Sequence, residues 1–175
     1  MIIFAHQNDF GYFSTGNEKS PIVLGPYGKS NDTQQIVDDI FDAWVNHEGD
    51  IECLFLVAHG NSGVIWLGEG IGQHRAEKFA KLRIAFAAGS RGIEIHGCAC
   101  ASATDISRWH GTGTAQCSGP GYDFLFSMAK NSGVKVTGSV DSVWGFKAAH
   151  TYDVKTMTVL PGGGCYFTDH DSPIL

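Results

Sequence analysis

The chain has 175 residues, 43% of them hydrophobic and 17% charged, with a formal net charge of -6. That length fits a single domain with a substantial core, and that composition excludes an intrinsically disordered chain. The acidic balance and the lack of any Lys/Arg cluster argue against a nucleic-acid partner, and no stretch approaches the roughly 18 apolar residues of a membrane span.

Met1 to Ala5 reads as a short strand. The rest of the first thirty residues is turn-rich, with Gly11, Gly16, Pro21, Gly25, Pro26 and Gly28 among the aromatics Phe10, Tyr12, Phe13 and Tyr27. That mixture predicts an edge hairpin or a packed loop over residues 1–30. From Ser30, Asn31 or Asp32, each able to cap a helix, an apolar face runs through Ile36, Val37, Ile40, Phe41, Trp44 and Val45. A helix is predicted to about His47. The run from Cys53 to Ala58 is apolar on both faces, as a central parallel strand requires, and ends at His59-Gly60.

"VIWLGEG" predicts a short hairpin or strand, and a helix is expected from about His74 to Ala88 with Phe79, Leu82 and Phe86 inward. Gly92 to His96 reads as a second buried strand, ending at Gly97-Cys98. Residues 101–121 lack periodicity and predict a long loop bordering an active site, with Trp109 and His110 as lid candidates. A helix from about Tyr122 to Asn131, closed by "NSG", precedes the strand "VKVTGSV"; the last third suggests one or two further strands. The alternation of helix and strand predicts an α/β domain, a three-layer α/β/α sandwich around a mostly parallel sheet, over residues 1–175.

Ligands of such sheets bind beyond the carboxyl ends of the strands, and His59 and Cys98 both fall there. A thiol beside an imidazole has the makings of a nucleophile and its base. Gly60 and Gly97 adjoin the pair, and sharp Gly-containing turns can aim backbone N–H groups, here those of Gly60 and Cys98, at a developing oxyanion. There are five cysteines, an odd number, so they cannot all pair within the chain. Cys53 reads as a buried small hydrophobe. "MIIFAHQNDFG" lacks the basic start and long apolar run of a secretory signal, so a cytoplasmic setting is the default expectation, with export by another route open.

The segments "LFLVAHG" (Leu54 to Gly60) and "IEIHGCA" (Ile93 to Ala99) resemble the caspase, gingipain and clostripain superfamily of clan CD cysteine peptidases. The longer stretch "LVAHGNSGVIWLG … IEIHGCACA … GVKVTGSVDSVWG" looks more like a poorly characterised bacterial domain of that type, found near the start of large cell-surface proteins. The resemblance spans roughly residues 50–160. It implies a caspase-like fold and cleavage of a protein or peptide substrate without a cofactor. Cys98 would be the nucleophile that forms a thioester, and His59 the general base and acid. Gly60 and Cys98 would supply oxyanion N–H groups, with no obligatory acidic third member. It also implies a pocket beside the cysteine for the substrate residue before the scissile bond, walled by "DSVWGF" with Asp141, Ser142 and Trp144, where Asp141 would select a basic side chain.

Two other readings compete. The fold can serve as a non-enzymatic binding or targeting module, with Cys98 unreactive. His59, His96, Cys98 and Cys100 can also be read as a zinc site, since zinc favours four Cys or His ligands. His96, Cys98 and Cys100 would share one face only if the strand continued through Cys100, and Gly97 argues that it does not. Cys100 is the alternative nucleophile.

Overall fold

The computed structural model describes residues 1–7, 20–106, 112–142, 152 and 154–169. Two strands, β1 (Ile2–Gln7) and β2 (Ile22–Tyr27), precede helix α1 (Thr33–Val45), which leads to β3 (Cys53–Val57). Three two-residue strands follow, β4 (Gly60–Asn61), β5 (Val64–Ile65) and β6 (Ile71–Gly72), and then a 3-10 helix (Ala76–Ile84). The chain continues through β7 (Gly92–His96), helix α2 (Gly119–Ser132), β8 (Val136–Ser139), β9 (Thr156–Val159) and β10 (Cys165–Thr168). The central sheet has seven strands in the order β10-β9-β8-β7-β3-β1-β2. β2, β1, β3, β7 and β8 run parallel, and β9 and β10 are antiparallel. The architecture is therefore α/β around a mostly parallel sheet.

β3 and β7 lie at the centre and every residue of both is buried. Leu54, Leu56, Ile93 and Ile95 face one side, where they join Ile36, Val37 and Ile40 of α1, Phe79 and Leu82 of the 3-10 helix, and Phe124, Leu125 and Met128 of α2 in one core. Each such fully buried side chain contributes about 1.5–3 kcal/mol. The other side carries a separate cluster of Phe4, Cys53, Phe55 and Val57, in which the Phe4 and Phe55 rings stack with centroids 4.4 Å apart. Among the described residues, all the helices lie on the first side rather than on both. From β2 to β8 the chain steps across the sheet in one direction, and right-handed crossovers in one direction place every connecting helix on the same face.

Several local expectations are corrected. β2 does occupy a sheet edge, but it pairs parallel with β1, so these two strands are not the arms of a hairpin; residues 8–19 lie outside the described residues. The segment expected as an α-helix over 74–88 is a 3-10 helix whose buried residues are Ala76, Phe79 and Leu82. A spacing of three matches 3.0 residues per turn, and half-buried Phe86 instead bridges to Ile51 beyond the helix end. α2 starts at Gly119, three residues before the expected Tyr122, with Pro120 in its first turn where the missing N–H costs nothing. Its start packs tightly on the 101–118 segment. The Gly121 N–H donates to the Ser102 carbonyl at 3.1 Å, and a Cβ at Gly121 would collide with the backbone of Ala101 and Ser102. At the other end Gly133 closes the helix in the left-handed conformation, as the "NSG" stop predicts. α1 is capped by Asp32, whose side chain accepts from the Gln35 N–H at 2.8 Å. Of its expected apolar face, Phe41 and Trp44 are only half-buried and Val45 is exposed.

Candidate active site

β3 and β7 are parallel neighbours with Val57 paired to His96. The Ala58 N–H continues the ladder to the His96 carbonyl at 3.2 Å. The paired ladder ends there, and His59 and Cys98 follow two residues beyond Val57 and His96, at the carboxyl ends of these neighbouring strands. Both side chains are partly exposed while Ala58, Gly97 and Ala99 are buried, so the pair emerges where the sheet ends. Backbone contact here leaves no room for side chains. A Cβ at Gly97 would stand 3.0 Å from the Ala58 carbonyl oxygen, and one at Gly60 would stand 2.9 Å from the Val64 oxygen and 3.2 Å from that of Cys98. The two glycines that adjoin the pair in sequence thus let the two strand ends close on each other.

The backbone of His59 is clamped on two sides. Its N–H donates to Oε1 of Gln7, at the end of β1, at 3.0 Å, and its carbonyl accepts from the Trp66 N–H at 2.7 Å. β1 is also where the strand order reverses, with β2 on one side and β3 on the other, so His59 borders the topological switch point of the sheet. β4, β5 and β6 form a small antiparallel sheet with Gly60 paired to Ile65 and Asn61 to Val64. The Trp66–His59 bond belongs to this ladder. Backbone groups alternate in direction along an antiparallel strand, so the Gly60 N–H turns away from β5.

After Cys98 the chain enters a fixed turn. Ala99 has φ +48°, a left-handed conformation that costs a non-glycine residue about 1–2 kcal/mol. The turn is held from β8 and its extension: the Ala99 N–H donates to the Asp141 carbonyl and the Ala101 N–H to that of Ser139, both at 2.9 Å. Ser139 Oγ donates to the Gly97 carbonyl. Such strain persists only where the surroundings determine it, and it recurs at functional sites.

Of the expected pocket residues, Asp141 is half-buried and Ser142 buried, while Trp144 lies outside the described residues. The Asp141 carboxylate accepts the Gly113 N–H at 2.7 Å and so fastens the 101–118 segment. This segment is also tied to the small sheet, through Ser62 Oγ donating to the Ser102 carbonyl at 2.7 Å and Asn61 Oδ1 accepting from the Ile106 N–H at 3.1 Å. The lid candidates Trp109 and His110 lie outside the described residues.

The four-residue zinc reading is corrected. Cys100 packs in the helix-side core, where a Cβ at Gly138 would stand 2.9 Å from its sulfur. His96 lies on the other side of the sheet, its ring stacked on Tyr152 at 4.3 Å and tilted against Phe55 at 5.5 Å. The sheet separates them, because the strand stops at His96 and the chain turns. Among the described residues no group of three His, Cys, Asp or Glu side chains is placed to hold a metal ion. Burial also pushes the Cys100 thiol up to about 12, which leaves it essentially without thiolate at neutral pH.

Three features escaped the sequence. Cys117 and Cys165 form a disulfide, with Cα atoms 6.0 Å apart, that joins the approach to α2 with the edge strand β10. Cys53, Cys98 and Cys100 lie outside that disulfide. Beneath the site a buried ionic group runs along β7, in which Arg91 Nη2 lies 2.9 Å from Glu94 Oε1, and Glu94 Oε2 lies 3.5 Å from His96 Nε2. Third, Trp66 stands half-exposed directly across from His59. A signal for the ionic group existed, since Glu94 and His96 alternate with Ile93 and Ile95 inside a strand.

An open depression of about 460 Å³ between the end of the small sheet and α2, lined by His74, Glu77, Asp123 and Lys130 among others, shares no residue with this site. No helix of the described residues is long and apolar enough to cross a membrane. Compared with known proteins, the chain matches no family model, no curated protein and no solved structure.

Proposed function

We propose that the chain is a cysteine peptidase with a caspase-like domain, in which Cys98 is the nucleophile and His59 the general base and acid. The observation that supports this reading is the β3–β7 pairing, at whose neighbouring carboxyl ends His59 and Cys98 both fall, partly exposed. An imidazole and a thiol at adjoining strand ends suit proton transfer followed by attack. In the first step the sulfur of Cys98 bonds to the substrate carbonyl carbon, its proton passing to His59. The C–N bond then breaks as His59 gives that proton to the leaving nitrogen, and a thioester remains. Water adds to the thioester carbonyl and loses a proton to His59. The C–S bond breaks, the acid is released, and His59 returns the proton to sulfur.

The tetrahedral oxyanion in both halves needs fixed donors. The N–H groups of Gly60 and Cys98 fill that role: the first is left unused by the β4–β5 ladder, and the second precedes the constrained turn at Ala99. Asp141, whose carbonyl accepts from the Ala99 N–H, borders the same turn, and in this reading it and Ser142 wall the pocket for the residue before the scissile bond. With one Asp141 oxygen engaged by Gly113, selection of a basic side chain there would use the other oxygen. The substrate is a protein or peptide, and the acidic chain has no footprint for nucleic acid. The Cys117–Cys165 bond favours an oxidising compartment over the cytoplasmic default.

The test is covalent. Incubated with a peptidyl halomethyl ketone, the protein should be labelled at Cys98, and Cys98→Ala should abolish both labelling and cleavage. Cleavage that survives Cys98→Ala rejects the mechanism, whereas a Cys98 inert to every peptidyl electrophile and to iodoacetamide supports a non-enzymatic module.

A further inference from the structure

The small antiparallel sheet has a buried side and an open side. Ile65 and Ile71, paired across β5 and β6, are fully buried. Alternation therefore turns Val64 and Trp66 outward. The register of Gly60 with Ile65 and Asn61 with Val64, extended by one residue, makes Trp66 the partner of His59, and the 2.7 Å bond from the Trp66 N–H to the His59 carbonyl fits that pairing. Directly opposed residues of an antiparallel pair project from the same face, with Cβ atoms about 5 Å apart. Trp66 thus stands across the ladder from His59, on the open side of the small sheet.

On its other side Trp66 has little cover. β6 pairs Gly72 with Val64, and the next position, Gly70, falls across from Trp66. A Cβ at Gly70 would only just touch Trp66 Cδ1, at 3.9 Å, and Val64 Cγ2, at 4.0 Å. Trp66 is 50% exposed, among the largest apolar groups left open among the described residues. A shelf results, with an indole and a valine over a glycine floor, bounded by His59 on one side. Asn61, beyond it, ties the shelf to the 101–118 segment through the Ile106 N–H.

We propose that Trp66 forms the subsite for the substrate residue immediately after the scissile bond, and that it selects an aromatic or large aliphatic side chain there. This inference rests on the peptidase reading. In that reading His59 delivers its proton to the leaving nitrogen, so a group across the ladder from His59 meets the leaving side of the substrate. A flat indole on a glycine floor offers stacking and apolar contact and no charge, which fixes the class of side chain it takes.

The experiment uses two quenched fluorogenic peptides that differ only in Phe or Gly after the scissile bond, assayed on the wild type, Trp66→Ala and Trp66→Phe. The wild type should prefer Phe by about tenfold in kcat/KM. Trp66→Ala should bring the ratio close to one, and Trp66→Phe should keep most of it. The rate at which a peptidyl chloromethyl ketone, which has no residue on the leaving side, labels Cys98 should be unchanged in all three. A Phe-to-Gly ratio that Trp66→Ala does not move, in a protein that still cleaves and is labelled, overturns this inference alone. An equal fall in labelling and in both cleavage rates also overturns it, by making Trp66 a support for His59. A protein whose Cys98 reacts with no peptidyl electrophile overturns the peptidase reading and this inference with it.

Discussion

The two faces of the central sheet treat similar residues in opposite ways. On the helix side an apolar core lies beneath the site, and Cys100 is buried there with its thiol raised to about 12. On the other side Phe4, Cys53, Phe55 and Val57 give way along β7 to a buried charge, Glu94, held by Arg91 and faced by His96. The helix face holds a thiol, Cys100, and the other face holds Cys53 and His96 at opposite ends of neighbouring strands. Among the described residues, a cysteine and a histidine with partial access to solvent adjoin the ends of neighbouring strands at the rim, where β3 and β7 end. The comparison teaches that position at the sheet boundary, more than residue type, separates the proposed pair, His59 and Cys98, from their neighbours His96 and Cys100.

The largest expected effect probes the charged face. Glu94 is fully buried, so Arg91→Ala leaves an uncompensated charge and should cost about 3–5 kcal/mol in denaturant unfolding. Replacing both members together, Arg91→Met with Glu94→Met, should cost far less, because the desolvation of the pair disappears with the pair. A double variant as unstable as Arg91→Ala would break the claim that this face is held by compensation. On the helix face Ile95→Val removes one buried methylene and should cost about 0.5–1.5 kcal/mol, the ordinary toll of a small cavity.

The smallest effect sits at the edge of the helix face. One oxygen of Glu69 accepts from the N–H and the hydroxyl of Thr33 at 3.0 and 3.1 Å, at the start of α1, and Arg75 lies 3.0 Å from it. The Thr33 N–H bond, ahead of the others, holds this carboxyl below its ordinary value. A depressed folded value adds stability that is present above the unfolded value and is lost as pH falls through the folded one. Glu69→Gln should therefore narrow the stability difference between neutral and acidic pH by a small amount, read by thermal unfolding across pH 3–7; a difference that is unchanged, or that widens, contradicts the assignment.

Much of this was legible in the sequence. β3 stands out because a strand buried on both faces reads as an apolar run, and β7 by Ile93 and Ile95 at every second position; the His-Gly and Gly-Cys at their ends follow directly. The N-cap at Asp32 and the stop at Gly133 are local chemistry, written in two or three residues. What stayed hidden depends on distant partners. The direction of β2 is set by a crossover, and the Cys117–Cys165 pairing spans 48 residues in a chain whose odd cysteine count permits many pairings. The 3-10 helix passed for an α-helix because spacings of three occur in both. Trp66 reads as one more hairpin residue until the register of β4 and β5 sets it across from His59.

The most direct test of the His59–Cys98 pair is its reactivity with a small electrophile. Intact protein treated briefly with iodoacetamide at neutral pH, then denatured and mapped by mass spectrometry, should carry the label on Cys98 and leave Cys53 and Cys100 untouched. His59→Ala, folded by circular dichroism, should slow that labelling at least tenfold. A Cys98 that does not react, or that reacts equally fast without His59, would contradict the account.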